Sequence, residues 1–366
     1  MNRFRSLLAG VLISLALVSA SFGYGWDTFL GSPVTWSGDT ANMRTSSVSF
    51  PAGAFRDAIV ETMQDWNGGP SQFDFTWQHG DTSVGTSNFQ NEIWITAASS
   101  SSLSGAPAIC ISWNLFGSLQ EADVLFADRP SSTTFWSTSH SKNNLLPYGA
   151  SSRPFQTTAL HELGHALGLN HENRWYNIMG QDWDHIHANG SSVHYYAGED
   201  GMSGAVFLYG TSSGEDLGVV HWRYTGASGE YSAHARSRMF TSTGGSLSTF
   251  LDTTYNPNGE IGYRVNSGQT VQIELSYENN GATTQSTSVG FYLSTNDFIS
   301  TGDQLLATST FTLGRNTVFT TQSTITIPSG LASGTIRWVG AVVDRSGTLS
   351  ETDESNNATY IAIRIN

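Results

Sequence analysis

Cysteine is all but absent from this chain of 366 residues, with Cys110 the only one. No intramolecular disulfide can form, and a chain of this length can bury two cores without one. Cys110 lies in the apolar stretch PAICISW and reads as a small buried side chain. Lysine is as scarce, with Lys142 alone, and the net charge is −14. Nucleic-acid partners are excluded on that ground, because they require a basic footprint. Long apolar runs are missing too. Nothing approaches the roughly 20 apolar residues of a spanning helix, so no membrane span is expected. The short run Leu7–Val18 follows Arg3 and Arg5 and leads into the small residues Ser19 and Ala20. That is the pattern of a secretory signal over residues 1–20, which places the mature protein outside the cell in soluble form.

What the chain does have is strand-like alternation, punctuated by glycine, serine and asparagine. SPVTWS (Ser32 to Ser37) reads as a first strand. Phe55, Ile59, Met63 and Trp66 then recur at helical spacing between Pro51 and Gly68-Gly69, an amphipathic helix. FDFTWQ, NEIWIT, AICISW and EADVLFA follow as four strands, then a helix over about Phe155 to Gly168, and a closing helix over Gly198 to Gly210. Beyond a linker at 211–217 the texture changes. TVQIELSYEN, SVGFYLST, STITIP, IRWVGAVVD and ATYIAIRI alternate without a helix-period stretch. The expectation is an α+β domain over 24–210 and an all-β, Ig-like sandwich domain over 218–366.

The chemistry concentrates in HELGHALGLNH, residues 161–171. On a helix advancing about 100° per residue, His165 falls about 40° from His161 and Glu162 about 100° away, while Leu160, Leu163 and Leu167 share the opposite face. Two imidazoles four residues apart reach one cation. Gly168 can take a left-handed conformation and turn the chain, returning His171 toward the same point. Three neutral nitrogen ligands leave a fourth position of a tetrahedral zinc open to water, the arrangement of a catalytic site. Glu162 is then placed as general base for that water. The expected cofactor is one zinc ion and the expected reaction is hydrolysis of a polarised carbonyl, most naturally in a protein or peptide substrate.

These residues, with Asn177-Ile178-Met179-Gly180, resemble the metzincin zinc peptidases, and the matrixin branch in particular. The resemblance implies a twisted mixed sheet with an active-site helix, His161, His165 and His171 as zinc ligands and Glu162 as catalytic base. It places Met179 in a turn beneath the metal and lays the substrate along an edge strand, for which 106–113 is the candidate. The chain departs from the astacin-like pattern, having Gln181 where those proteins place a tyrosine. His79 in HGD lacks the partners of a structural zinc site, and His185, His187 and His194 read as loop histidines near the substrate pocket. Residues 266–366 resemble a bacterial cell-adhesion-related (CARDB-like) β-sandwich module, whose expected role is docking to a surface or polymer or that of a spacer. Asp297, Asp303, Asp344 and Asp353 fall in its turns, where aspartate is common anyway; calcium is the second candidate ion there. Two other functions compete with a secreted zinc endopeptidase. One is a zinc-binding adhesion protein with little turnover, and the other is a zinc hydrolase of a non-peptide bond.

Overall fold

A computed structural model describes residues 25–180, 183–315 and 317–366. The expected signal over 1–20 and Gln181 lie outside them. The first half is built on Thr40–Ser46 (β1), the helix Ala54–Asn67 (α1), Asp74–Asp81 (β2), Asn91–Thr96 (β3), Ala108–Leu115 (β4) and Ser118–Ala127 (β5). These strands form one sheet in the order β2–β1–β3–β5–β4. β1 runs parallel to β2 and β3, and β3 parallel to β5, while β4 returns antiparallel on β5 as the sheet edge. The β1–α1–β2 crossover is what a parallel pair requires, and α1 buries Ile59, Met63 and Trp66 as its spacing predicts. β1 itself was not expected. Of the anticipated first strand, Ser32–Pro33 forms a two-residue strand and Thr35 a single bridge to Ser118, with Val34 and Trp36 buried. In β1 the inward Ala41, Met43 and Thr45 alternate with polar residues, and a strand with one threonine among three inward positions carries a weak apolar signal.

Two further helices follow, Phe155–Ala166 (α2) and Gly198–Tyr209 (α3). Between them stand two-residue and three-residue pairings, Gly25–Trp26 with Leu169–Asn170 and His187–Asn189 with Ser192–His194. Past residue 220 a hairpin, Trp222–Ser228 (β6) and Tyr231–Arg236 (β7), forms a two-stranded sheet of its own. The remaining strands make a six-stranded sheet and a four-stranded sheet, the latter assembled on both edges of Thr270–Asn279. Val265, Ile273, Leu275, Val289, Phe291, Ile361 and Ile363 share the core formed by these strands.

The expected fold class needs correction. In place of an α+β, metzincin-like peptidase domain followed by a sandwich, the chain is predominantly β throughout. Among the described residues there are three α-helices of 14, 12 and 12 residues against 25 strands in eight sheets, five of them only two strands wide. No metzincin-like α/β peptidase domain stands out from that arrangement. The physical reason is that periodicity identifies single elements, whereas sheet number and strand pairing follow from contacts far apart in sequence.

The largest buried cluster runs through both halves. It joins Trp66, Phe126, Phe155 and Tyr195 to Tyr292, Trp338, Val342 and Tyr360. At its polar centre is Lys142, fully buried, with Nζ 2.8 Å from Glu260 Oε1 and 2.7 Å from Asp297 Oδ2. A buried ammonium of this kind is tolerable only because both carboxylates meet it.

Candidate metal centre

α2 carries His161, Glu162 and His165, and its inner face is seated by Ala159, Leu160, Leu163 and Ala166, all fully buried. Trp66 of α1 donates its indole N–H to the Leu160 carbonyl at 3.1 Å, locking the two helices together. Gly164 is required by the packing, since a Cβ there would lie 2.4 Å from Met179 Sδ and 3.2 Å from the Trp66 ring. Met179 therefore packs directly against α2 at Gly164.

Gly168 ends the helix with φ +109°, and a Cβ on it would come 2.9 Å from the Val34 carbonyl oxygen. Only glycine makes that turn without strain. Leu169–Asn170 then pairs antiparallel with Gly25–Trp26, and this short ladder delivers His171.

The three imidazoles converge, their ligand atoms all lying within 4.8 Å of one another. His165 Nε2 is 3.1 Å from His161 Nε2 and 3.2 Å from His171 Nε2. Their other ring nitrogens are each turned to an oxygen. His161 Nδ1 is 2.8 Å from the Ile178 carbonyl, His165 Nδ1 is 2.8 Å from the Leu169 carbonyl, and His171 Nδ1 is 3.3 Å from Glu230 Oε2. Carbonyl and carboxylate oxygens only accept, so each Nδ1 is the donor and each Nε2 presents a lone pair inward. Three lone pairs facing one another repel unless a cation sits among them. Zinc at its usual Zn–N distance would hold its ligand nitrogens about 3.3 Å apart, close to the two separations from His165 Nε2. The donor set thus fits zinc. Burial, and then the neighbouring His161 and His171, push the His165 pKa well below the ordinary imidazole range.

Glu162 is buried, and its charge reaches across to Cys110 on β4. Burial first, and Glu162 second, push the Cys110 thiol up, which disfavours its thiolate form. Between β4 and α2 runs a cleft of about 440 Å³, lined by Asp27, Ile109, Ile111, Ser112, His165 and Asn170 among others. Its wall is the expected edge strand, and no further strand covers that edge among the described residues.

The remaining histidines and aspartates sit elsewhere. His79 Nδ1 pairs with Thr45 Oγ1 at 2.8 Å on the sheet. His185 stacks between Tyr176 and Tyr196, and His187 meets the Ala358 carbonyl at 2.6 Å; burial pushes both down to about 3. His187 thereby joins the first half to the second, and neither histidine lines the cleft. His194 pairs with Asp353. Asp297 is engaged by Lys142, Asp303 accepts from Ser300, and Asp344 accepts from Thr348 and Leu349. Among the described residues, the three converging histidines are the one group of three or more such side chains placed to share an ion.

Sequence reasoning missed the hairpin. Its tip brings Glu230 and Tyr231 onto His171, with the Tyr231 and His171 ring centroids 4.5 Å apart. Nothing local in SGEYS signals a partner roughly 60 residues away.

No protein-family model matches the chain, and no curated protein matches it either. Among solved structures it is similar to the CARDB domain of the PF1109 protein from Pyrococcus furiosus, solved in complex with di-metal ions. That similarity has 16% identity and a TM-score of 0.26, covering 42% of this chain and 96% of that one. It is also similar to catalytically inactive OgpA from Akkermansia muciniphila in complex with an O-glycopeptide, at 8% identity and a TM-score of 0.24, covering 92% and 95% of the two chains. Scores of this size carry no argument about function, which rests on the site itself.

Proposed function

We propose that this chain is a secreted zinc-dependent endopeptidase in which His161, His165 and His171 hold one zinc ion and Glu162 is the general base. The observation that carries the reading is the convergence of three Nε2 lone pairs while each Nδ1 is tied to an oxygen. Zinc bound there would polarise the scissile carbonyl and lower the pKa of a bound water to about 7. The Glu162 carboxylate takes a proton from the attacking water and later returns it to the leaving amine. The open edge of β4 receives an extended peptide through main-chain hydrogen bonds, and Ile109 and Ile111 line the cleft beside it. An open cleft along a free strand edge suits a polypeptide better than a compact small molecule, so peptide hydrolysis is preferred to a non-peptide reaction.

The test is cleavage of a proteome-derived peptide library by the full chain and by Glu162→Ala, with zinc quantified in both. Cleavage by the parent alone, with zinc in both samples, is the expected result. Zinc in both and cleavage in neither would overturn the endopeptidase reading in favour of a binding role.

A further inference from the structure

Of the three imidazoles, His161 and His165 are oriented by carbonyls of the first half, Ile178 and Leu169, and His171 by a side chain of the second half. We infer that the metal centre is completed by the β6–β7 hairpin, with Glu230 as a positioning residue for His171. The inference rests on the zinc reading above and adds to it a dependence of the site on the second half of the chain.

The hairpin is pinned along its length to the segment that follows the third histidine. At the tip, Asn173 Nδ2 donates to the Gly229 carbonyl at 2.7 Å. One step further, a Cβ on Gly180 would lie 2.0 Å from Ser232 Oγ, so these two residues are in closest approach. Toward the base, His234 Nδ1 and Asp184 Oδ1 are 2.9 Å apart, both side chains buried, and Ser232 Oγ meets His234 Nε2 at 2.8 Å. With the backbone held at these points, Glu230 Oε2 is presented 3.3 Å from His171 Nδ1, and the Tyr231 ring packs on the same imidazole.

The chemistry follows from the donor inventory. A carboxylate on Nδ1 fixes the tautomer with the hydrogen there, holds the ring plane, and raises the basicity of Nε2 toward a metal. His171 depends on this more than its partners do, since it stands beyond the helix, and 23% of its side chain is exposed. Glu230 itself is 75% exposed, so solvent weakens the contact, and its effect belongs at the low end of what such partners contribute.

The experiment measures Zn²⁺ affinity of the full chain by competition with a chromophoric chelator, for the parent and for Glu230→Ala, Glu230→Gln and His161→Ala. The visible spectrum of the Co²⁺-substituted forms is recorded alongside. Glu230→Ala should bind zinc about tenfold more weakly and shift the Co²⁺ bands, while Glu230→Gln, whose amide oxygen still accepts from Nδ1–H, should recover most of the affinity. Glu230→Ala binding zinc within about twofold of the parent, with unaltered Co²⁺ bands, would overturn the inference. Binding left intact by His161→Ala would instead overturn the zinc reading, and this inference with it.

Discussion

Glu162→Gln keeps the size of the buried side chain and all three imidazoles but removes the base. Cleavage should fall by a factor of about 10² to 10⁴, with zinc content unchanged, measured as turnover against metal per chain. A second single-residue effect concerns stability. Burial works to lower the His194 pKa, but the hydrogen bond and charge of Asp353 outweigh it, and the imidazole stands above its ordinary value of 6.5. A raised folded-state pKa means the pair's contribution is fully present below pH 6.5 and is lost as pH rises through the higher value. The melting temperature of the parent should therefore fall from pH 6 toward pH 9 more steeply than that of His194→Gln. At this scale the convergence of His161, His165 and His171 was legible in the sequence, because a helical spacing and the turn at Gly168 act over a few residues. Glu230 was not, because its relation to His171 exists only after the hairpin docks.

Helix α2 and the turn after it form the unit that turns spacing into geometry. Gly168→Ala would force a side chain into φ +109° and against the carbonyl of Val34, a residue whose own N–H is tied to the Asp27 carbonyl. The cost should be about 1–3 kcal/mol, read from the denaturation midpoint. Zinc affinity should drop with it, because the Leu169–Asn170 ladder that carries His171 is displaced. Elements of this length were readable one at a time. α1 showed itself through Phe55, Ile59, Met63 and Trp66, and β4 through its alternating apolar run. β1 was hidden because Asn42, Arg44 and Thr45 dilute its pattern, and the ladders at Gly25–Trp26 and His187–Asn189 are too short to leave any periodicity.

Across the whole molecule the two halves share one buried cluster and one ionic centre, so they should unfold together. Calorimetry of the full chain should show a single transition. Lys142→Met leaves Asp297 buried without its cation and Glu260 with Arg236 alone, and should cost about 3–5 kcal/mol, an effect that neutralising Asp297 in the same chain should relieve in part. The class of the fold was misjudged at this scale. A helical stretch bearing histidines invited an α+β reading, yet helices are few, and the architecture is set by strand pairings such as those on Thr270–Asn279, which join residues 217–220, 239–241 and 318–326. No window of sequence contains such pairings. What the whole molecule does with its converging histidines is open to one direct measurement, a zinc titration of peptide cleavage by chelator-stripped full-length protein. Cleavage should be absent at the start, rise in proportion to added zinc, and level off at one equivalent, with His165→Ala inactive throughout. Cleavage without metal, or one tightly bound equivalent of zinc with no cleavage of any peptide, would contradict the assignment.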